Sequence, residues 1–175
     1  MLSSSRIDSI KKFFGFEDFQ INLKPEFSSS HPAYRGFINN SLMKDFDFLP
    51  AERVTEGVSI SHCRDIGGYV WCQPSVPIGF DIEEASRIRH DVIERISSND
   101  EHYPNDVLQW VAKEASFKAA NIKFPIRVLS DVVVDGWQSL ADDGHSFEFA
   151  IGGEVVGRGY AWLDDGHGFA VASLK

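Results

Sequence analysis

Two acidic clusters near the middle of the chain hold the side chains best suited to chemistry. The first is Gly79-Phe80-Asp81-Ile82-Glu83, a short apolar run with carboxylates at i and i+2. On a β-strand that spacing turns both side chains to one face. The second is Trp110-Val111-Ala112-Lys113-Glu114-Ala115-Ser116-Phe117-Lys118, which reads as helix. Glu114 and Lys118 stand at i and i+4 and share a helical face. Asp81, Glu83 and Glu114 together are three hard oxygen donors of the kind that suit Mg²⁺, an ion usually held by one or two carboxylates, several waters and substrate phosphates. Lys113 and Lys118 beside them suit an anionic substrate. Other readings stay open at this level: Asp81 and Glu83 can be strand-edge charges that discourage aggregation, and Lys118 can be the i, i+4 partner of Glu114.

The elements that must position these residues follow from periodicity. Residues 78–82 form a strand, 85–96 a helix with Ile88, Val92, Ile93 and Ile96 as its stripe, and 105–121 a second helix capped by Asn105 with Asp106 in its first turn. Trp110 and Phe117 are expected in the core, holding that helix against the sheet. Upstream, residues 4–19 show a helical pattern through Ile7, Ile10, Phe13 and Phe14, and residues 39–46 are an ambiguous helix ended by Pro50. Residues 58–60 and 69–72 are strands on either side of a Gly67-Gly68 turn. From Arg127 onward the pattern alternates, giving strands at 128–134, 146–151, 155–163 and 169–174 separated by Gly and Asp turns. The fold class is therefore α+β with antiparallel sheets. A weak internal echo between residues 65–71 and 165–171 suggests two related halves, residues 1–77 and 78–175, packed as one unit.

Composition bounds the function. The chain has 175 residues, 43% hydrophobic, with a net charge of -9, enough to bury a core without disulfides. An acidic whole argues against sequence-independent nucleic-acid binding, which needs a basic footprint. Cys63 and Cys72 read as two buried free thiols, since no second pair completes a zinc site. The first residues lack the apolar core of a signal peptide and no run reaches the ~18 apolar residues of a membrane span, so the expected location is cytoplasmic. His90, His102, His145 and His167 show no ligand spacing.

These segments resemble the 4′-phosphopantetheinyl transferase superfamily, in particular its longer, pseudodimeric surfactin-synthetase type. The family pattern is G-x-D-x-E, then F-S-x-x-E, then W-x-x-K-E-x-x-x-K. Here the first is residues 79–83, the middle element is Ser98-Asn99-Asp100-Glu101 with Ser97 in place of the aromatic, and the third runs from Trp110 through Lys113-Glu114 to Lys118. Ile60-Ser61-His62-Cys63 is similar to the family's S-H motif at the end of a strand.

The resemblance implies a fold of two pseudo-twofold-related halves acting as a monomer. It also implies a reaction: transfer of the phosphopantetheine arm of coenzyme A to a serine of an acyl or peptidyl carrier protein, releasing 3′,5′-ADP. By the same resemblance Asp81, Glu83 and Glu114 hold Mg²⁺, Lys113 and Lys118 face the coenzyme A phosphates, and Ser61 and His62 lie near its nucleotide end. Glu101 takes a supporting acid–base or metal-proximal role, and Glu114 is the base that receives the serine proton, directly or through a water. The family's G-K-P segment is replaced around Phe48-Leu49-Pro50, leaving Arg35, Lys44, Arg53 and Arg64 as nearby cations, with Arg53 assigned to coenzyme A. His62 and Glu101 read equally well as structural residues. The rival function is a non-catalytic member of the same fold that binds a carrier protein or a nucleotide.

Overall fold

The structure is a computed structural model that describes residues 3–46, 56–98 and 100–175, with the side chains of residues 45 and 46 left aside. Helix α1 spans Ser4–Phe14; the Ser3 side chain caps it by accepting from the Arg6 N–H, and Gly15 ends it at φ 78°, a left-handed conformation that favours glycine. That stop releases the chain into strand β1, Asp18–Lys24. The expected helix over 4–19 is thus a shorter helix and the start of a strand. Helix α2 covers Tyr34–Phe46, five residues earlier than its sequence pattern suggested. Strands β2 (Val58–His62) and β3 (Gly67–Gln73) follow as a hairpin.

Strand β4, Ile78–Glu84, leads into a single 3₁₀ turn at Ala85–Arg87 and a short helix α3, His90–Ile96. The helix expected over 85–96 is broken because Ile88 and Arg89 adopt extended backbone. Helix α4 runs Asp106–Ala120, with the Asn105 side chain accepting from the Leu108 N–H, the predicted cap. The last four strands are β5 (Val132–Ser139), β6 (Gly144–Ile151), β7 (Glu154–Asp164) and β8 (His167–Leu174). The first strand expected there begins four residues late, because Leu129–Asp131 coils into a 3₁₀ turn whose Asp131 carboxylate accepts from the Arg127 and Val128 N–H groups.

Two antiparallel sheets result, ordered β1-β3-β2 and β4-β8-β7-β6-β5. The class is α+β, and each sheet contains a three-strand unit of the same order: a strand, its distant partner, and that partner's hairpin mate. The sheets face each other across a core of Phe19, Val70 and Cys72 on one side and Phe80, Ile82, Tyr160, Trp162, Phe169 and Val171 on the other. The alternate residues of the second sheet, Ala161, Ala170 and Ala172, turn outward to meet Ala112, Ala115 and Ala119 of α4. Small side chains on both surfaces bring the helix close to the sheet. Helix α2 covers the first sheet through Ile38, Leu42, Val58 and Tyr69. Cys63 and Cys72 are free and buried, and burial pushes the Cys72 thiol up to about 11. No described helix is long and apolar enough to cross a membrane.

Candidate functional site

The close approach of α4 to β4 is what builds the site. A Cβ on Gly79 would lie 1.8 Å from the Ala115 carbonyl oxygen, so glycine there lets the helix lie directly on the strand. Two and four residues on, Asp81 and Glu83 share the face of Gly79 and come out beside α4. Glu114 and Lys118 descend from the helix onto the same place. On the other flank β2 runs along the free edge of β4. Ser59 Oγ accepts from the Phe80 N–H at 2.9 Å, and Ser61 Oγ accepts from the Ile82 N–H at 3.3 Å. Two serine hydroxyls thereby satisfy edge amides that no strand pairs. Among these groups opens a cavity of about 340 Å³ lined by Ser59, Ser61, His62, Asp81, Glu83, Trp110, Glu114 and Lys118, with Val58, Ile60, Ile78 and Ile82 as apolar wall.

The charge pattern inside is specific. Lys118 Nζ donates to Asp81 Oδ1 at 2.7 Å, to the Phe80 carbonyl at 2.9 Å and to Ser61 Oγ at 3.2 Å. Ser61 Oγ in turn donates to Asp81 Oδ1 at 2.8 Å, so its one proton and both lone pairs are engaged. Lys118 therefore pairs with Asp81 rather than forming the i, i+4 bridge to Glu114. Glu114 has no hydrogen bond or ion pair among the described residues. Burial raises its carboxyl above the ordinary range and the Asp81 charge adds to the rise, against the pull of Lys118. Burial raises Glu83 as well, partly offset by the Glu84 N–H and by Arg87, whose guanidinium stands 3.4 Å away. A carboxyl pushed up by burial and by like charge beside an open cavity is a common mark of a functional site.

Six residues singled out in the sequence therefore meet at this cavity: Ser61, His62, Asp81, Glu83, Glu114 and Lys118. The His62 ring is edge-on to Tyr34, with the centroids 4.6 Å apart. Lys113 and Glu101 do not meet it. Lys113 is fully buried on another face of α4 and pairs with Glu101 at 2.9 Å, their side chains 0% and 1% exposed. Lys113 also donates to the Val132 carbonyl at 2.6 Å. Glu101 accepts from the Ser98 N–H at 2.7 Å, the Val134 N–H at 3.2 Å and the Gln109 amide. The phosphate-facing role for Lys113 and the acid–base role for Glu101 are thus replaced by a structural one: the pair pins α4 to β5 and to the loop before the helix. Arg53 and the segment 48–50 lie outside the described residues.

Two contributors were missed in the sequence. Ser59 carries the same edge-capping duty as Ser61, and the i, i+2 serines were the available signal. Gly79 was read only as part of a motif, although its side-chain-free approach sets the depth of the cavity.

Could these side chains hold a divalent ion? Among the described residues, no group of three or more His, Cys, Asp or Glu side chains is gathered tightly enough to form a ready-made metal site. The donor set nevertheless fits one. Asp81, Glu83 and Glu114 line one cavity, all are hard oxygen donors, and burial, with like charge adding to it, raises Glu83 and Glu114. Asp81 already holds a cation, the Lys118 ammonium.

Other cavities among the described residues lie away from this cluster. One of them, about 750 Å³, sits between β1 and the β7–β8 turn, with Ile7, Ile21, Leu23, Ile66 and Phe169 as its apolar wall. Its polar lining is Asn22, Lys24, Asp65, Asp164, Asp165 and His167.

No family model matches the chain, and no curated protein matches it significantly.

Proposed function

We propose that this protein transfers the 4′-phosphopantetheine arm of coenzyme A to a serine hydroxyl of an acyl or peptidyl carrier protein. The observation that carries the reading is the meeting of Asp81, Glu83, Glu114 and Lys118, all named by their resemblance to the transferase motifs, with Ser61 and His62 of the first sheet at one cavity. The recurrence of one three-strand order in both sheets supports the two-half architecture of that superfamily.

In this reading the serine oxygen attacks the phosphorus that bears the pantetheine arm, and the bond from that phosphorus to the oxygen of the departing 3′,5′-ADP breaks. Glu114 receives the serine proton. With its carboxyl raised and no partner among the described residues, Glu114 has one oxygen for that task, directly or through a water, while the other would face the metal. Lys118 carries positive charge into the cavity on a flexible stem and neutralises phosphate oxygens as charge develops on them. Ser61 holds Asp81 in place through its 2.8 Å bond, which keeps the carboxylate aimed into the cavity. His62, which also lines the cavity, would meet the nucleotide end of coenzyme A. Asp81, Glu83 and Glu114 would hold Mg²⁺, which when bound neutralises pyrophosphate charge.

The test is transfer by Asp81→Ala and Glu114→Ala, each verified as folded. Both variants are expected to lose transfer by at least a hundredfold, on the scale of losing an electrostatic or general-base group. Full activity in both would sink the assignment. Binding of a carrier protein without transfer and without any need for Mg²⁺ would favour the non-catalytic module instead.

A further inference from the structure

The Lys118 ammonium rests on a carboxylate oxygen, a main-chain carbonyl and a hydroxyl, at 2.7, 2.9 and 3.2 Å. Those are the ligand types that a hard divalent cation selects, gathered by the edge of β4 and by β2. The ammonium fills the place of a cation at Asp81. Its reach comes from the last turn of α4, and its side chain remains 29% exposed while that of Asp81 is only 9% exposed. The holder is thus more enclosed than the side chain it holds.

Two consequences follow from charge alone. With the ammonium 2.7 Å away and the Ser61 hydroxyl 2.8 Å away, Oδ1 of Asp81 is committed twice over. A divalent ion at that oxygen would also stand within a few ångströms of a like charge in a partly enclosed cavity, where repulsion is poorly screened. Glu114, one helical turn before Lys118, has no ion-pair partner among the described residues; the second carboxylate therefore waits while the first is neutralised.

We propose that Lys118 is an internal counter-ion that competes with the divalent metal for Asp81. In the resting protein it neutralises Asp81 and holds the edge of β4 against β2. For a metal to bind there, the ammonium has to leave Asp81 and the Phe80 carbonyl, and its stem then lets it reach an anion in the same cavity. The inference rests on reading the cavity as a metal and pyrophosphate site, and it assigns that site's metal affinity to a lysine that is not a ligand.

The experiment measures Mn²⁺ binding to the full chain without coenzyme A, by calorimetric titration and by the metal-induced rise in melting temperature. It compares wild type with Lys118→Met, which keeps the stem and removes the charge, and with Lys118→Gln, which keeps a donor for the Phe80 carbonyl. Asp81→Asn is the control for the site. Removing the competing charge is expected to tighten Mn²⁺ by about tenfold or more in both lysine variants, with a larger metal-induced melting shift, while Asp81→Asn weakens it.

Unchanged or weaker Mn²⁺ binding in folded Lys118→Met and Lys118→Gln, beside measurable binding to wild type, would overturn the counter-ion role and leave the metal site standing. No Mn²⁺ binding to any of the proteins at millimolar metal would overturn both the counter-ion role and the metal in the proposed function.

Discussion

Removing the Lys113 charge separates two accounts of this protein, because the motif makes Lys113 a phosphate ligand and the fold makes it a buried pin. Lys113→Met leaves Glu101 with the Ser98 and Val134 N–H groups and the Gln109 amide as partners, but without its counter-charge in a site where both side chains are at most 1% exposed. Breaking one member of a buried pair costs ~3–5 kcal/mol. The three remaining donors to Glu101 place this case near the lower end, about 3 kcal/mol, and the abandoned Val132 carbonyl keeps it from falling further. For a chain of this length that corresponds to a melting temperature lower by roughly 6–12 °C. Urea unfolding should show an earlier midpoint with an unchanged slope. Adding Glu101→Gln to the variant removes the stranded charge and should recover about half of the loss. The reasoning is refuted if Lys113→Met lies within about 1 kcal/mol of wild type while its affinity for coenzyme A falls.

Other outcomes follow from the same coordinates. Glu114 has a folded-state carboxyl raised above its ordinary 4.5, so the native protein holds more protons than the unfolded chain just above that value and loses stability as pH rises through the window. Glu114→Gln should therefore melt higher than wild type near neutral pH, with the difference vanishing below 4.5; thermal melts across pH that find the variant no more stable at neutrality would contradict this. Gly79→Ala should be severely destabilising, by about 3 kcal/mol or more, since its Cβ would sit 1.8 Å from the Ala115 carbonyl. A denaturation midpoint close to wild type would show that α4 can retreat from β4.

Much of this fold was written in periodicity. The second sheet alternates large and small or polar residues so regularly that its strands could be read within a few positions, and the Asn105 cap marked the start of α4. Strand β1 was hidden because Phe13, Phe14, Phe16 and Phe19 continue a helix-like spacing past the stop. Only Gly15, in its left-handed turn, says that the helix has ended. The break after β4 was similarly masked, because Ile88, Val92, Ile93 and Ile96 form an apolar stripe although the helix itself starts at His90.

At the site, the i, i+2 carboxylates and the Glu114–Lys118 face were legible from geometry alone. The choice of Asp81 over Glu114 as the partner of Lys118 was not, since it depends on how deeply α4 sits on β4. Lys113 could have been placed correctly: consecutive helical residues point about 100° apart, so Lys113 and Glu114 could hardly face one cavity. Gln109, four residues before Lys113, marks the face on which that lysine lies, and the same face meets Glu101.

The central claim is the transfer itself, and intact-mass spectrometry of apo carrier proteins tests it most directly. A panel of acyl and peptidyl carriers would be incubated with this protein, coenzyme A and Mg²⁺, beside a matched reaction with Asp81→Ala. The account predicts that at least one carrier gains the mass of a single phosphopantetheine arm with wild type and none does with the variant. No gain on any carrier, with the protein folded and Mn²⁺ bound at Asp81, would contradict it.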